Sequence, residues 1–188
     1  MKRLIIFASG TGSNFAALAA HYAASPLAQI VALVCDHADA PVLAKAEAAG
    51  IPTLTVDYKA YPTKRAAEQA IVAMLPPADL LILAGFMRII GPTLLAAYPD
   101  RIINLHPALL PSFPGRTGIE DAYAYGVKVT GVTVHVVDAG IDSGRILAQV
   151  PVAVLPHMSC ADLATAIHAV EHRLLPTTVD RLIEEGAI

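Results

Sequence analysis

The chain has 188 residues, of which 55% are hydrophobic and 15% charged, and its formal net charge is −3. So apolar a composition excludes a disordered chain, and the lack of any basic run longer than two residues argues against nucleic-acid binding. The longest apolar runs, 71–77 and 80–86, fall far short of the roughly 20 residues that span a membrane, so no membrane partner is expected.

The length is most simply read as one domain, residues 1–188. The apolar run at 4–8 is too short for a signal peptide and leads directly into glycines. Only two cysteines, Cys35 and Cys160, are present, which is too few for a disulfide framework. We therefore expect a cytoplasmic protein with reduced thiols.

The first part of the chain alternates short β-rich runs with helix-like segments. The predicted strands are 4–8, 29–34, 53–56, 80–84 and 101–105. The predicted helices are 14–24, 40–49, 63–75 and 92–97. Such alternation is typical of βαβ units, in which parallel strands are buried on both faces.

The last third has a different pattern. Two strands, 130–137 and 145–152, are joined by a glycine-flanked hairpin-like loop, and one long helix is predicted over 159–185. Residues 110–126 are expected to form a loop. The predicted fold class is α/β: a Rossmann-like open twisted sheet with helices on both faces, parallel at first and mixed in the C-terminal third. Ligands of such sheets bind beyond the carboxyl ends of the strands.

A glycine loop, residues 9–14 (SGTGSN), follows the first predicted strand and opens a helix. Glycines permit a tight turn, and a helix N-terminus offers free N–H groups to an anion, so Gly12, Ser13 and Asn14 predict a phosphate site. A dinucleotide site stays open as an alternative because Asp36 lies where a ribose-binding acid would, although Phe15 departs from that motif. A glycine turn in which Ser13 or Asn14 merely caps the helix is the other alternative.

Asn104 and His106 end the fifth predicted strand, and Pro107 stops it. Residues i and i+2 of a strand point to the same face, so these two side chains are expected side by side. An amide donor next to a titratable imidazole suits oxyanion stabilisation with proton transfer. Taken alone, however, a histidine is more often a structural residue than a catalytic one.

The loop 138–144 contains two acids. Asp138 is interpreted as a turn former. If the loop folds back over the strand ends, Asp142 reaches His106, and its carboxylate is expected to raise the pKa of that histidine and hold its proton.

A metal site is not predicted. His168 and His172 have i, i+4 spacing on the last predicted helix, but no further ligand is placed to complete a site. Glu171 lies between them and is expected off their face.

Five segments, taken together and in order, give the chain its resemblance to a known family. They are SGTGSN at 9–14, LAGFMRII at 83–90, INLHPALLPSFPG at 103–115, GVTVHVVDAGIDSG at 131–144 and QVPV at 149–152. With these motifs the chain closely resembles, over nearly its whole length, the folate-dependent formyltransferases that act on glycinamide ribonucleotide in purine synthesis.

The resemblance implies two small-molecule substrates, glycinamide ribonucleotide and the co-substrate 10-formyltetrahydrofolate, with no metal. It implies a phosphate-binding half, 1–100, and a catalytic and folate-binding half, 101–188; a homodimer is suspected. The implied catalytic residues are Asn104, His106 and Asp142. The implied phosphate and ribose contacts are Gly12, Ser13, Asn14 and Glu171. The implied folate contacts are Lys64, Met87, Arg88, Ile89, Ile90, Asn104, Ala139, Gly140, Ile141 and Asp142.

Lys64 departs from the family, which often has arginine there, and a lysine lacks the planar fork that pairs with a carboxylate.

The alternative functions within the same fold are formyltransferases acting on methionyl-tRNA or a nucleotide-linked amino sugar, and formyltetrahydrofolate hydrolase. The rivals from other classes are a nicotinamide-dependent oxidoreductase and a non-catalytic folate- or nucleotide-binding module.

Overall fold

One seven-stranded sheet runs through the chain, which the computed structural model describes over residues 1–188. Its strands are β1 (Lys2–Phe7), β2 (Ala28–Cys35), β3 (Thr53–Thr55), β4 (Leu80–Leu83), β5 (Ile102–His106), β6 (Val129–Val136) and β7 (Ile146–Ala153). Their order across the sheet is β3-β2-β1-β4-β5-β6-β7. The first five strands are parallel, and β6 and β7 are antiparallel to their neighbours. The predicted fold class is confirmed.

Six helices cover the sheet: α1 (Ser13–Tyr22), α2 (Pro41–Ala48), α3 (Lys64–Met74), α4 (Pro92–Ala97), α5 (Gly118–Tyr125) and α6 (Cys160–Glu184). None of them is long and apolar enough to cross a membrane. Helix α5 corrects the prediction of a continuous loop over 110–126. The segment before it is rich in proline and glycine, which hid the helix, although Gly126 at φ 82° marks a left-handed helix end.

Both faces of the sheet are buried, which explains the continuous apolar strands. Along β1, Leu4 and Ile6 pack into a core covered by α1, α2 and α6. The alternate residues Ile5 and Phe7 pack into a second core under α3 and α4. The helices therefore lie on both faces, as the period-two alternation of strand side chains requires.

The chain segment that follows β5 is held down by the buried side chain of Thr133 in β6. Its hydroxyl donates to the carbonyl of Ala108 at 2.7 Å and accepts from the amide of Leu110 at 3.1 Å. Gln149 in β7 donates to the same hydroxyl and to the carbonyl of Leu110, just before the cis peptide bond to Pro111. The β6–β7 hairpin thus shapes the turn that leaves the end of β5.

Replacing this hydroxyl by a methyl group should destabilise the fold. Thr133→Val removes three hydrogen bonds and leaves buried backbone groups without partners, so we expect a loss of about 2–3 kcal/mol in the free energy of unfolding. This loss is measured by urea denaturation, and we expect the m-value to stay unchanged. The matched control is Thr165→Val, an exposed helical threonine that donates only to Ala161; equal losses in both variants would contradict the role of Thr133.

Candidate active site

The predicted site residues converge where the loops after β1, β4 and β5 meet. Eleven of them line one pocket: Asn14, Met87, Arg88, Ile89, Ile90, Asn104, His106, Gly140, Ile141, Asp142 and Glu171. Four predicted residues do not line it: Gly12, Ser13, Lys64 and Ala139. The first two adjoin Asn14 in the glycine loop, and Ala139 adjoins Gly140, so only Lys64 stands apart.

The glycine loop presents an uncapped helix N-terminus to the pocket. Gly12 is the N-cap of α1 with φ 71°, and no side chain caps the helix, so neither Ser13 nor Asn14 acts as the cap. A Cβ at position 12 would overlap Val42, which makes glycine necessary there. The first N–H groups of α1 therefore remain free to bind an anion.

A buried carboxylate from α6 completes this side of the pocket. Glu171 Oε2 accepts hydrogen bonds from Asn14 Nδ2 at 2.9 Å and from His168 Nδ1 at 2.8 Å. The expectation that Glu171 lies off the face of His168 is wrong, because residues three apart are neighbours on a helix surface. Asn14 Oδ1 is buried and has no hydrogen-bond partner, so it is an unused acceptor at the pocket wall.

The β4–α4 loop (residues 84–91) forms the opposite wall. Met87 and Ile89 are about half exposed there, at 49% and 54%. Arg116, which the sequence analysis did not single out, donates from Nη2 to the carbonyl of Met87 at 2.9 Å and so links this loop to the segment after β5.

Lys64 lies outside the pocket at the start of α3. Its Nζ is 4.0 Å from Glu68 Oε1, and that buried carboxylate in turn accepts from the amide of Gly91 at 2.6 Å. Lys64 is therefore connected to the β4–α4 loop only through Glu68.

Asp36 is paired with a cation, which removes the support for a dinucleotide site. Its Oδ2 accepts from Arg88 Nε at 2.7 Å, and its side chain is 1% exposed. Burial by itself raises the pKa of Asp36, but Ser9 and Arg88 lower it more, so the carboxyl lies below its usual range. Because Oδ2 is committed to Arg88 and the whole side chain is buried, Asp36 is not placed to accept from both hydroxyls of a ribose.

The loop between β6 and β7 does fold back over the strand end, so Asp142 reaches both polar residues of β5. Asp142 Oδ2 lies 3.5 Å from His106 Nδ1, and Oδ1 accepts from Asn104 Nδ2 at 3.4 Å. The amide of Gly115 donates to Oδ2 at 2.7 Å and fixes the carboxylate. Asp138 forms the turn, as expected, by accepting from the amide of Gly140 and the hydroxyl of Ser143.

A second buried histidine, which sequence reasoning missed, belongs to the same cluster. His135 pairs across the sheet with Asn104, and its Nε2 accepts from Asn104 Nδ2 at 3.1 Å. The same nitrogen is 3.5 Å from Asp142 Oδ1. A histidine inside the β-branched run 130–137 indicates that a polar group lies nearby. Which residue that is depends on strand register, and sequence spacing does not show the register.

His106 differs from its predicted state. Burial is the largest influence and lowers the pKa of His106 below its usual value of about 6.5, although its bond to Phe113 and the nearby Asp142 act to raise it. The expectation that Asp142 holds His106 in its cationic form is therefore wrong for the ligand-free protein. His106 Nε2 donates to the carbonyl of Phe113 at 2.8 Å, so in the neutral ring the proton is on Nε2 and Nδ1 faces Asp142.

Comparison with known proteins shows the family of this chain. The model of the formyl transferase family matches residues 2–179. A phosphoribosylglycinamide formyltransferase of Bacillus subtilis is 43% identical over 97% of this chain and 95% of its own length. One from Mycobacterium tuberculosis is 45% identical over 98% of this chain and 86% of its own length.

A solved structure has the same fold. The crystal structure of phosphoribosylglycinamide formyltransferase from Bacillus halodurans has a TM-score of 0.94 and 44% identity, covering 98% of this chain and 97% of that one. The chain belongs to the formyl transferase family and is an enzyme of that class. Within the family it belongs with the phosphoribosylglycinamide formyltransferases, which confirms the resemblance found in the sequence.

The opposing effects of burial and of Asp142 on the pKa of His106 can be measured by NMR titration of the imidazole resonances. The resonance of His106 is assigned with the variant His106→Gln. We expect His106 to titrate below about 6.5, and Asp142→Asn to lower its pKa further because the carboxylate favours the cation. A pKa above the usual value would mean that Asp142 outweighs burial.

The lowered pKa of His106 also predicts that the free energy of unfolding depends on pH. The folded protein binds this proton less well than the unfolded chain does. The stabilisation that accompanies neutral His106 is therefore complete above about pH 6.5 and is lost as the pH falls through the folded-state pKa.

Proposed function

We propose that this chain transfers the formyl group of 10-formyltetrahydrofolate to the amine of glycinamide ribonucleotide, giving the N-formyl product and tetrahydrofolate. The observation that carries the proposal is the joint position of Asn104, His106 and Asp142 in one pocket. An anion-binding helix terminus lies on one side of these residues and a half-exposed apolar loop on the other. The names of the relatives in several bacteria support the same reaction.

The glycine loop is proposed to bind the phosphate of the ribonucleotide. Its N–H groups at the start of α1 supply hydrogen bonds and the positive end of the helix dipole. The free acceptor Asn14 Oδ1 and the buried Glu171 are suited to ribose hydroxyl groups, which donate hydrogen bonds to oxygen acceptors. His168, at the pocket rim beside Glu171, extends this polar wall.

The folate is proposed to lie between the β4–α4 loop and the loop 139–142. Met87, Ile89 and Ile141 present exposed apolar side chains, and a planar ring system would cover them from water. Arg88 has its side chain paired with Asp36, so residues 87–90 are proposed to contact the pterin through backbone groups. Lys64 would meet the folate only by leaving Glu68.

The chemical step needs no covalent enzyme intermediate. The neutral amine of the ribonucleotide attacks the formyl carbon, and the carbonyl oxygen becomes an oxyanion. Asn104 is proposed to donate to that oxygen from Nδ2, which in the free protein bonds to His135 and Asp142. The amine then loses one proton, the leaving N10 nitrogen of the folate gains one, and the carbon–nitrogen bond to N10 breaks.

His106 is proposed to act with Asp142 in this proton transfer. A buried imidazole that is neutral before reaction can accept a proton, and a new oxyanion beside it raises its pKa because opposite charges stabilise each other. Asp142, held by the Gly115 amide, would stabilise the imidazolium and relay the proton through water to N10.

A cytoplasmic location and a homodimer stay predictions of the sequence.

The proposal is tested by following folate release spectrophotometrically with purified protein and 10-formyltetrahydrofolate, with and without glycinamide ribonucleotide. We expect tetrahydrofolate to form only when the ribonucleotide is present. Release without it would indicate the hydrolase, and no release under either condition would return the question to amino-sugar or tRNA acceptors and to a binding module.

Removing the carboxylate charge should separate catalysis from binding. We expect Asp142→Asn to keep the melting temperature and both substrate constants near those of the wild type while turnover falls by about 10²–10³. The matched control is Asp100→Asn, an exposed residue before β5 with φ 57°, where asparagine is equally suited. Near-normal turnover of the Asp142 variant would remove that residue from the mechanism.

A further inference from the structure

The carboxylate of Asp36 has no role in the reaction described above, yet it is paired with Arg88 of the β4–α4 loop. Asp36 follows β2 and does not line the pocket. Its side chain is 1% exposed, and Oδ1 has no hydrogen-bond partner. Burying a carboxylate carries a desolvation cost, so the contacts that Asp36 makes in return need an explanation.

The first contact is with Arg88 at the centre of the β4–α4 loop. Arg88 Nε donates to Asp36 Oδ2 at 2.7 Å. The guanidinium also lies over the ring of Tyr58, with its carbon 4.9 Å from the ring centroid. A carboxylate and an aromatic ring thus hold one side chain from two sides, which restricts the backbone of residue 88.

Ser9 also holds the β4–α4 loop. The oxygen of this buried hydroxyl accepts from the amide of Met87 at 2.8 Å. The same side chain lowers the pKa of Asp36 and so opposes the effect of burial. The amide of Ser9 donates to the carbonyl of Gly85 at 3.1 Å, so Ser9 binds the β4–α4 loop at two points.

The part of the glycine loop that forms the anion site, around Gly10 and Gly12, is held instead by Val42 of α2. The amide of Val42 donates to the carbonyl of Gly10 at 3.2 Å, and the Val42 side chain fills the space beside Gly12. Loss of Asp36 should therefore loosen the β4–α4 loop much more than the anion site at the start of α1.

We propose that Asp36 is a positioning residue that fixes the folate-binding loop through its ion pair with Arg88. The proposal rests on the proposed function, in which residues 87–90 contact the pterin through their backbone. Because those contacts depend on where the peptide groups lie, a small shift of the loop weakens folate binding and leaves ribonucleotide binding intact.

The test is Asp36→Asn, which keeps the shape of the side chain and removes its charge. We expect the KM for 10-formyltetrahydrofolate to rise about tenfold, as the loss of a charge-assisted hydrogen bond predicts. The KM for the ribonucleotide should change less than about twofold, and turnover at saturation should stay close to the wild-type value. Asp39→Asn, the same change at an exposed position three residues on, should alter neither constant.

Calorimetric binding of tetrahydrofolate to the same variants gives a readout that does not depend on turnover. Weaker binding by Asp36→Asn supports the proposal even if the acceptor of the formyl group proves to be a different amine. If the wild type binds no tetrahydrofolate, the proposed function fails instead.

A second variant, Arg88→Lys, covers the case in which Asp36→Asn does not fold. It keeps the positive charge but removes the Nε donor that Asp36 holds, and should raise the KM for the folate with the same selectivity. Equal increases in both KM values, or no increase in either, would overturn the positioning role.

Discussion

Burial of the sheet on both faces is the constraint on which the rest of the molecule depends. Residues 4–7 of β1 and 80–83 of β4 are all buried, and none of them has a polar side chain. Chemistry becomes possible only where a strand stops and its loop reaches solvent. Ser9, the β4–α4 loop and the segment after β5 all begin at that edge, and the pocket lies among them. The polar residues of β5, Asn104 and His106, both have hydrogen-bond partners.

The reversal of strand direction after β5 explains how Asp142, the third proposed catalytic residue, reaches the pocket. Because β6 runs antiparallel, it ends beside Ile103, away from the carboxyl end of β5. The following loop must therefore turn back to reach the pocket. Asp138 stabilises the turn, and the amide of Gly115 holds Asp142 in place with φ 50°. An acid from a distant segment is in this way brought within 3.5 Å of His106.

Electrostatics in the cluster are governed by burial more than by the nearby carboxylate. Two nearly buried imidazoles, His106 and His135, flank Asp142. His106 is less basic than a histidine in water, so its cation becomes favourable only when negative charge forms beside it. Such a site would stabilise a developing oxyanion more than it stabilises the free substrates. A reaction is accelerated when the transition state is stabilised more than the ground state. Asp36 differs from His106 because its charge partner, Arg88, is already present before any substrate binds.

Sequence alone determined the α/β class, most strand and helix positions, the glycine loop and the pair Asn104 and His106, because these features depend on local periodicity, glycine conformation and residues two apart on one strand. Helix α5 was hidden by its proline- and glycine-rich surroundings. Only the tertiary structure decided that His135 lies opposite Asn104, that Glu171 binds both Asn14 and His168, and that burial outweighs Asp142 at His106. Register, loop folding and desolvation arise from contacts between distant segments, and no local pattern of residues contains them.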